Sequence, residues 1–181
     1  MHLESKRLKL QEVSLKDIPD IHRLHSYAEV DQYNTLGIPK NTEETKEAIR
    51  PMLEEQNALK RKLYFWKVTL KNTNEFIGVA GMNLSLNKFK LGEIYYKLVP
   101  AYWGNGYATE IAKTLIKSGF KDFKLHKVEA GVATENLASI RVLEKSGMTR
   151  EGLRRKILPI RGEWKDNYHY AIVEDDLFDH L

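Results

Sequence analysis

A change in the hydrophobic period part-way along the chain is the feature that most limits its fold. Between Leu63 and Val99, three short runs of strand period are separated by polar turns, which is the pattern of an antiparallel meander. Beyond Pro100, runs with the strand period alternate with runs of helical period. A chain that changes in this way is typical of a mixed α/β sheet flanked by helices.

The same patterns place the individual elements. Before the meander we predict one strand over Leu3–Val13, a helix that begins after Ser14, and a second helix that begins at Thr42. The apolar stripe of that second helix extends to Leu59, and Pro51 predicts a kink or a split within it. The remaining predicted elements are strands at Leu63–Leu70, Glu75–Asn83, Leu91–Val99, Leu125–Ala133, Thr149–Leu158 and Trp164–Glu174, and helices at Tyr107–Phe120 and Asn136–Ser146.

Length and composition favour one domain. A chain of 181 residues with 42% hydrophobic content is too short for two ordinary domains, so we predict a single domain over residues 1–181. The charged start and the lack of a long apolar run predict a cytoplasmic protein that does not span a membrane. Zero cysteines exclude a cysteine-bound acyl intermediate. The net charge of +4, dispersed among 25 acidic residues, suits a phosphate-bearing cofactor as well as a nucleic acid.

The segment from Tyr102 to Glu110 carries the first chemical signal. Gly104 and Gly106 lie between a predicted strand and a predicted helix, where they allow a sharp turn that gathers backbone N–H groups at the helix N-terminus. Such a terminus suits an anion such as pyrophosphate, although a plain glycine turn that only starts a helix explains the same pair.

A second signal lies one strand downstream, between Ala133 and Met148. Asn136 is a good helix N-cap, Ser139 follows it by three positions, and Gly147 ends the helix. Capping alone also explains these three residues, so the segment becomes informative only in combination with the glycine segment.

Together the two segments resemble the GNAT superfamily of N-acetyltransferases. In that family a Gly-x-Gly-x-Ala loop follows the fourth strand, and an Asn-x-x-Ser helix follows the fifth. Gly92-Glu93-Ile94-Tyr95-Tyr96, Tyr102-Trp103-Gly104 and Gly162-Glu163-Trp164-Lys165-Asp166 further resemble the RimJ/RimL-like branch, which contains ribosomal-protein N-acetyltransferases. Trp103 departs from the Gln or Arg of the wider superfamily, and Tyr95 stands where this branch often has Gly.

The resemblance implies a fold and a cofactor. The expected fold is a mixed, mostly antiparallel sheet of about seven strands, flanked by helices and splayed between strands four and five. The expected co-substrate is acetyl-CoA, with no metal. The residues implied to bind it are Leu98, Val99, Trp103, Gly104, Asn105, Gly106, Tyr107, Ala108, Thr109, Asn136 and Ser139.

The resemblance also implies direct acetyl transfer from the thioester to an amine. A backbone N–H at Leu98 or Val99 would meet the oxyanion, and Ser139 is the candidate acid because Leu143 stands where many relatives have Tyr. Glu93 is the candidate base; the alternative is a carboxylate that only forms an ion pair with a neighbouring Lys or Arg. Glu129 on the next strand is a weaker candidate.

The expected acceptor is a primary amine, with a peptide or protein N-terminus ahead of an amino sugar. The alternatives are an aminoglycoside or a polyamine, which the net positive charge disfavours. A non-enzymatic phosphate-binding or nucleic-acid-binding module is the remaining option, and the dispersed basic residues argue against it. We expect no membrane partner and leave the oligomeric state open, with a homodimer as one option. His22 and His25 are expected to have a surface or helix-packing role, because they have no metal-ligand partners nearby.

Overall fold

Eight strands form one sheet in the computed structural model, which describes residues 1–176. The strands are β1 (His2–Glu4), β2 (Leu8–Glu12), β3 (Leu63–Leu70), β4 (Phe76–Leu84), β5 (Leu91–Leu98), β6 (Lys127–Ala133), β7 (Thr149–Ile160) and β8 (Glu163–Val173). Their order across the sheet is β1-β2-β3-β4-β5-β6-β8-β7. Every neighbouring pair is antiparallel except β5 and β6, which are parallel. The predicted mixed, mostly antiparallel α/β sheet is confirmed.

The sheet has eight strands where about seven were expected, because the single strand predicted over Leu3–Val13 forms two strands, β1 and β2. The chain reverses at Ser5, whose backbone N–H donates to the Leu8 carbonyl at 3.0 Å. The Ser5 hydroxyl accepts a hydrogen bond from the Leu8 N–H at 3.1 Å. Residues 4–7 are all polar, and Leu3 and Leu8 are an odd number of positions apart, so the alternation is interrupted at this turn and the single predicted strand overlooked the break.

Five α-helices flank the sheet: α1 (Ile18–His25), α2 (Ala28–Asp31), α3 (Thr42–Glu54), α4 (Tyr107–Lys121) and α5 (Leu137–Lys145). Apolar residues of α1 and α3 pack with Phe65 and Val79 on one face of the sheet. Residues of α4 and α5 pack with Ile94 and Leu98 on the other face. Successive side chains of β5 therefore pack alternately into the hydrophobic cores on the two faces of the sheet, because side chains of a strand point to opposite faces in turn.

The two helices predicted before the meander begin where the sequence analysis placed them, but their later parts differ from the prediction. Ser14 forms a capping box with Asp17, and Asn41 caps α3 by accepting a hydrogen bond from the Glu44 N–H at 2.9 Å. The helix is not split at Pro51 but ends three residues after it. Leu59 lies beyond that end and is fully exposed, so its assignment to the helical stripe is wrong. The sequence analysis also missed the four-residue helix α2.

The parallel pair β5–β6 opens into a gap. The two strands pair at only three positions, from Leu91 opposite Lys127 to Glu93 opposite Glu129. Beyond Glu93, β5 continues to Leu98 while β6 pairs with β8 alone. The predicted splay between the fourth and fifth strands of the fold is therefore present between β5 and β6. Among residues 1–176, no helix is long and apolar enough to cross a membrane.

Candidate active site

The edge of β5 that faces the gap has unpaired backbone groups. The Val99 N–H donates to the Ile77 carbonyl of the neighbouring β4 segment at 2.9 Å. Because N–H groups of successive residues point to opposite sides of a strand, the N–H groups of Leu98 and Tyr96 point into the gap. The Leu98 carbonyl accepts a hydrogen bond from the Trp103 indole at 2.8 Å. Of the two residues expected to offer an oxyanion donor, only Leu98 has its N–H on the open edge.

The glycine segment forms a tight loop that leads directly into α4. Gly104 and Gly106 both have φ near 77°, in the left-handed region that favours glycine. The backbone N–H groups of residues 104–109 donate to no other described residue. Six free N–H groups at a helix N-terminus form a positive concavity suited to phosphate oxygens. The assignment of Trp103 to Thr109, a range that also contains Asn105, Tyr107 and Ala108, to cofactor binding stays a prediction.

An arginine from the β1–β2 turn holds this loop in place. Arg7 Nε donates to Glu110 Oε2 at 2.6 Å, and Arg7 Nη1 donates to the Asn105 carbonyl at 3.1 Å. The guanidinium also lies over the Tyr107 ring, 4.3 Å from its centroid. Ser5 donates a further hydrogen bond to Glu110 at 2.6 Å. The sequence analysis did not single out Arg7, because its partners are about a hundred residues away.

The Asn136 segment lies near the gap on the α5 side. Asn136 caps α5 by accepting a hydrogen bond from the Ser139 N–H at 3.1 Å, as predicted. The Ser139 side chain lies close to the Tyr96 hydroxyl. Burial raises the pKa of Tyr96 to about 12, with the Ser139 contact acting in the opposite direction. The hydroxyl groups of Ser139 on α5 and Tyr96 on β5 therefore lie near each other beside the gap. The sequence analysis had named Tyr96 only as part of a motif.

The opposite face of the sheet carries a row of polar residues. Asn83, Glu93 and Glu129 lie side by side on β4, β5 and β6, at the last paired position before the gap. His169 of β8 approaches Glu129, with Nε2 to Oε1 at 3.3 Å. Glu93 is exposed and forms no ion pair within residues 1–176. The structure therefore does not show the alternative in which Glu93 is paired with a neighbouring Lys or Arg. Glu129 is less available, because Lys127 and His169 both lie beside it.

Tyr95 and Lys97 continue this polar face towards α1 and α2. Burial, reinforced by the Glu93 carboxylate, raises the pKa of Tyr95 above its usual range. Burial lowers the pKa of Lys97 to about 8, with the Asp31 charge opposing it. Burial also lowers the pKa of His25 to about 4, with Lys97 acting in the same direction. A neutral, buried His25 supports the predicted helix-packing role.

Several polar atoms on this face have no partner. Residues 1–176 contain six buried side-chain polar atoms that lack a hydrogen bond. Four of them belong to the polar face or to the helix over it: Asp31 Oδ1, Asn83 Oδ1, Tyr95 OH and His169 Nδ1. Because unpaired buried polar atoms are costly, their concentration in one region indicates that a polar ligand or water occupies it.

Comparison with known proteins identifies the family. A family model described as the acetyltransferase (GNAT) domain matches residues 7–149. The chain belongs to the GNAT acetyltransferase family. The Bacillus subtilis protein YnaD, described as an uncharacterized N-acetyltransferase, is 33% identical over 97% of this chain and 99% of its own length. A crystal structure of a GNAT-family acetyltransferase from Bacillus anthracis is 32% identical, covers 97% of this chain and 99% of its own, and superposes with a TM-score of 0.84.

More distant structures share the fold of this GNAT acetyltransferase. RimL, a ribosomal L7/L12 α-N-protein acetyltransferase in complex with coenzyme A, is 19% identical with a TM-score of 0.86, and covers 97% of this chain and 99% of its own. Spermidine N-acetyltransferase from Vibrio cholerae, in complex with CoA and spermine, is also 19% identical, with a TM-score of 0.82 and coverage of 96% and 99%. Proteins that share this fold therefore act on very different acceptors.

Membership of the family settles the class of activity. The GNAT acetyltransferase uses an acyl-CoA to acetylate a nitrogen, so the non-enzymatic alternative is wrong. The acetyltransferase has unpaired N–H groups at the start of α4, a place where anions bind in proteins, and an open edge on β5. Within residues 1–176, no three histidine or carboxylate side chains come close enough to hold a metal ion.

Proposed function

We propose that this acetyltransferase transfers the acetyl group of acetyl-CoA to a primary amine of a peptide or protein N-terminus, with an amino sugar as the second candidate. The observation that carries the proposal is the gap between β5 and β6. On one side it has the glycine loop and α5, and on the other an uncovered row of polar side chains at Glu93. A thioester held along β5 would thus be accessible to an amine from the opposite face.

The proposed roles follow from position. Acetyl-CoA supplies the acyl thioester. The N–H groups of residues 104–109 hold its phosphates, and the open edge of β5 pairs with its amide-bearing arm. The Leu98 N–H stabilises negative charge that develops on the carbonyl oxygen. Glu93 takes the proton from the acceptor ammonium, directly or through a water, since no described cation neutralises it.

Ser139 is the proposed acid. Its hydroxyl lies next to Tyr96 beside the gap, so it can hold the proton that the departing sulfur requires. Tyr96 would position the Ser139 hydroxyl from β5, and its own hydroxyl stays protonated at physiological pH because its pKa is raised to about 12. Leu143 is buried in the core and has no group that could share the role.

The charge of the acceptor face supports a peptide over a polyamine. Lys97 projects from the same face of β5 as Glu93, and Asp31 is engaged by Arg161 at 3.2 Å. A second or third positive charge on the acceptor would therefore be repelled by Lys97, and the nearest carboxylate to Lys97, that of Asp31, is already paired with Arg161 through Oδ2. The orphaned oxygens of Asp31 and Asn83 instead suit neutral N–H donors such as peptide amides.

Release of free coenzyme A thiol from acetyl-CoA tests the proposal. The acceptors would be short peptides with free N-termini, glucosamine, an aminoglycoside and spermidine, each compared with its N-acetylated form as a blank. We expect turnover with peptides to exceed that with glucosamine, and turnover with spermidine to be the lowest. Turnover confined to spermidine or the aminoglycoside would show that the peptide assignment is wrong. Calorimetric binding of CoA by the same preparation confirms that the enzyme is competent.

A further inference from the structure

Lys97 lies on the proposed acceptor face of β5, and no carboxylate within residues 1–176 forms an ion pair with it. It is directly opposite Val79 of β4, on the face that α1 and α3 cover, and its side chain is largely buried. Within residues 1–176, its ammonium group forms no hydrogen bond and no ion pair. The established transfer reaction gives this charge no role, since neither the glycine loop nor Ser139 lies on this face.

Another lysine in the same cross-strand row shows the contrast. Lys67 of β3 also lies opposite Val79, and its ammonium contacts Asp17 Oδ1 at 2.7 Å. One face of the sheet thus carries two lysines, one with a dedicated carboxylate and one without. Keeping a buried cation unpaired is costly, and an apolar side chain at position 97 would extend the neighbouring core.

The groups around Lys97 do not supply the missing negative charge. Along β5 the nearest ionisable neighbours on this face are Tyr95, which stays neutral, and Glu93, two positions further on. His25 of α1 lies near Lys97, and it is neutral at physiological pH because burial lowers its pKa to about 4. The Asp31 carboxylate of α2 attracts it but lies beyond ion-pair distance and binds Arg161 instead. An anion from outside the chain would complete the site.

We propose that Lys97 determines acceptor specificity by binding an anionic group, a carboxylate or a phosphate, that the acceptor carries in addition to its amine. The inference rests on the proposed function and narrows its acceptor class. An ammonium is a compact charge that suits either anion, and burial strengthens the pairing because water screens it poorly.

The spacing along β5 sets the size of such an acceptor. Glu93, the proposed base, and Lys97 are four residues apart on one face, which corresponds to roughly 13 Å of extended backbone. Their long side chains can shorten that distance, so the amine and the anion of the acceptor would be separated by about two to four peptide residues. Tyr95 lies between these two residues along β5, and its hydroxyl, which has no hydrogen-bond partner, lies over Gly81 of β4.

Matched acceptor pairs test the proposal. Peptides of two, three and four residues with a free C-terminal carboxylate would be compared with their C-terminal amides by thiol release. Peptide amides of the same lengths that end in phosphoserine would be compared with those that end in serine. We expect kcat/KM for the anionic member of the best pair to be at least about tenfold higher, a factor that corresponds to about 1.4 kcal/mol. The peptide arm and the phosphate arm distinguish the two sources of charge.

Variants assign that preference to the lysine. Lys97→Gln should equalise the two members of a pair, and Lys97→Glu should favour the amide over the free carboxylate. The control Lys67→Gln, which removes the paired lysine of the same row, should retain the wild-type preference. Circular dichroism and calorimetric binding of CoA verify that each variant is folded and competent.

The outcomes separate this proposal from the proposed function. Acetylation of peptides without any preference for the anionic member would overturn the role of Lys97 and leave the peptide acceptor intact. An equal loss of turnover on every amine in Lys97→Gln would also overturn it, because the lysine would then serve catalysis and not selection. Failure to acetylate any amine, by enzyme that binds CoA, would refute the proposed function itself.

Discussion

Replacing Lys97 with methionine should stabilise the protein, and the structure gives the magnitude. Burial lowers the pKa of Lys97 from 10.5 to about 8. Each pKa unit corresponds to 1.36 kcal/mol between the two protonation states. The charged lysine therefore lowers the free energy of unfolding at pH 7 by about 3 kcal/mol. Methionine fills a similar volume without a charge, so Lys97→Met should recover most of that amount.

The effect should depend on pH in a defined direction. Between about pH 8 and pH 10.5 the unfolded chain keeps the Lys97 proton while the folded chain loses it. Because the unfolded state then binds more protons, wild-type stability rises with pH through this window relative to Lys97→Met. The difference between the two proteins is thus greatest below pH 8 and vanishes towards pH 10.5. Tyrosine ionisation at high pH affects both proteins alike and cancels in the comparison.

Urea denaturation at pH 7 and pH 10 measures both quantities, as the free energy of unfolding obtained by linear extrapolation. Lys67→Met is the matched control, since it removes a lysine paired with Asp17 and should destabilise the protein at pH 7. A Lys97→Met variant no more stable than wild type at pH 7 would refute the reasoning. A stability difference that stayed constant from pH 7 to pH 10 would refute it equally.

Three further predictions concern the cofactor side of the gap. Gly106→Val should weaken CoA binding in calorimetry by about tenfold or more, because valine avoids φ near 77°. Gly152→Val, at a position where an added Cβ meets open space, is the control. Equal CoA affinities of the Gly106→Val variant and the wild type would contradict the prediction. Ser139→Ala should lower kcat by ~10²-fold with little change in CoA affinity, and Tyr96→Phe should lower kcat by a smaller factor. Unchanged turnover of Ser139→Ala at saturating substrate would show that another group is the acid. Arg7→Ala should weaken CoA binding about tenfold by releasing the glycine loop, and an unchanged dissociation constant would exclude that tether.

The parts of the site that are local in sequence were predictable. Gly104 and Gly106 adopt left-handed conformations that few other residues tolerate, so their presence indicates the turn before α4. Asn136 caps the helix that begins at the next residue, which is a matter of a few neighbouring atoms. The central strands were predicted to within one or two residues for the same reason, since their alternation reports burial on each face directly.

Errors occurred where a local pattern was extended beyond the residues that support it. The strand predicted over Leu3–Val13 ran across four polar residues, 4–7, that interrupt the alternation, and the pairing of β1 with β2 shows that the chain reverses there. Leu59 continued a helical stripe that had already ended at Glu54. The helix α2 is four residues long, too short to produce a periodic signal of its own.

The sequence by itself determined the class of fold, the glycine loop, the capped helix and the family of this chain, because each depends on residues close together or on a motif of fixed spacing. Tertiary structure alone decided the rest. It brought Arg7 to Glu110 and Arg161 to Asp31, contacts between residues 103 and 130 positions apart. It also left Lys97 buried without a partner. Whether a charged side chain is paired depends on what the folded chain places around it, and no spacing along the sequence encodes that.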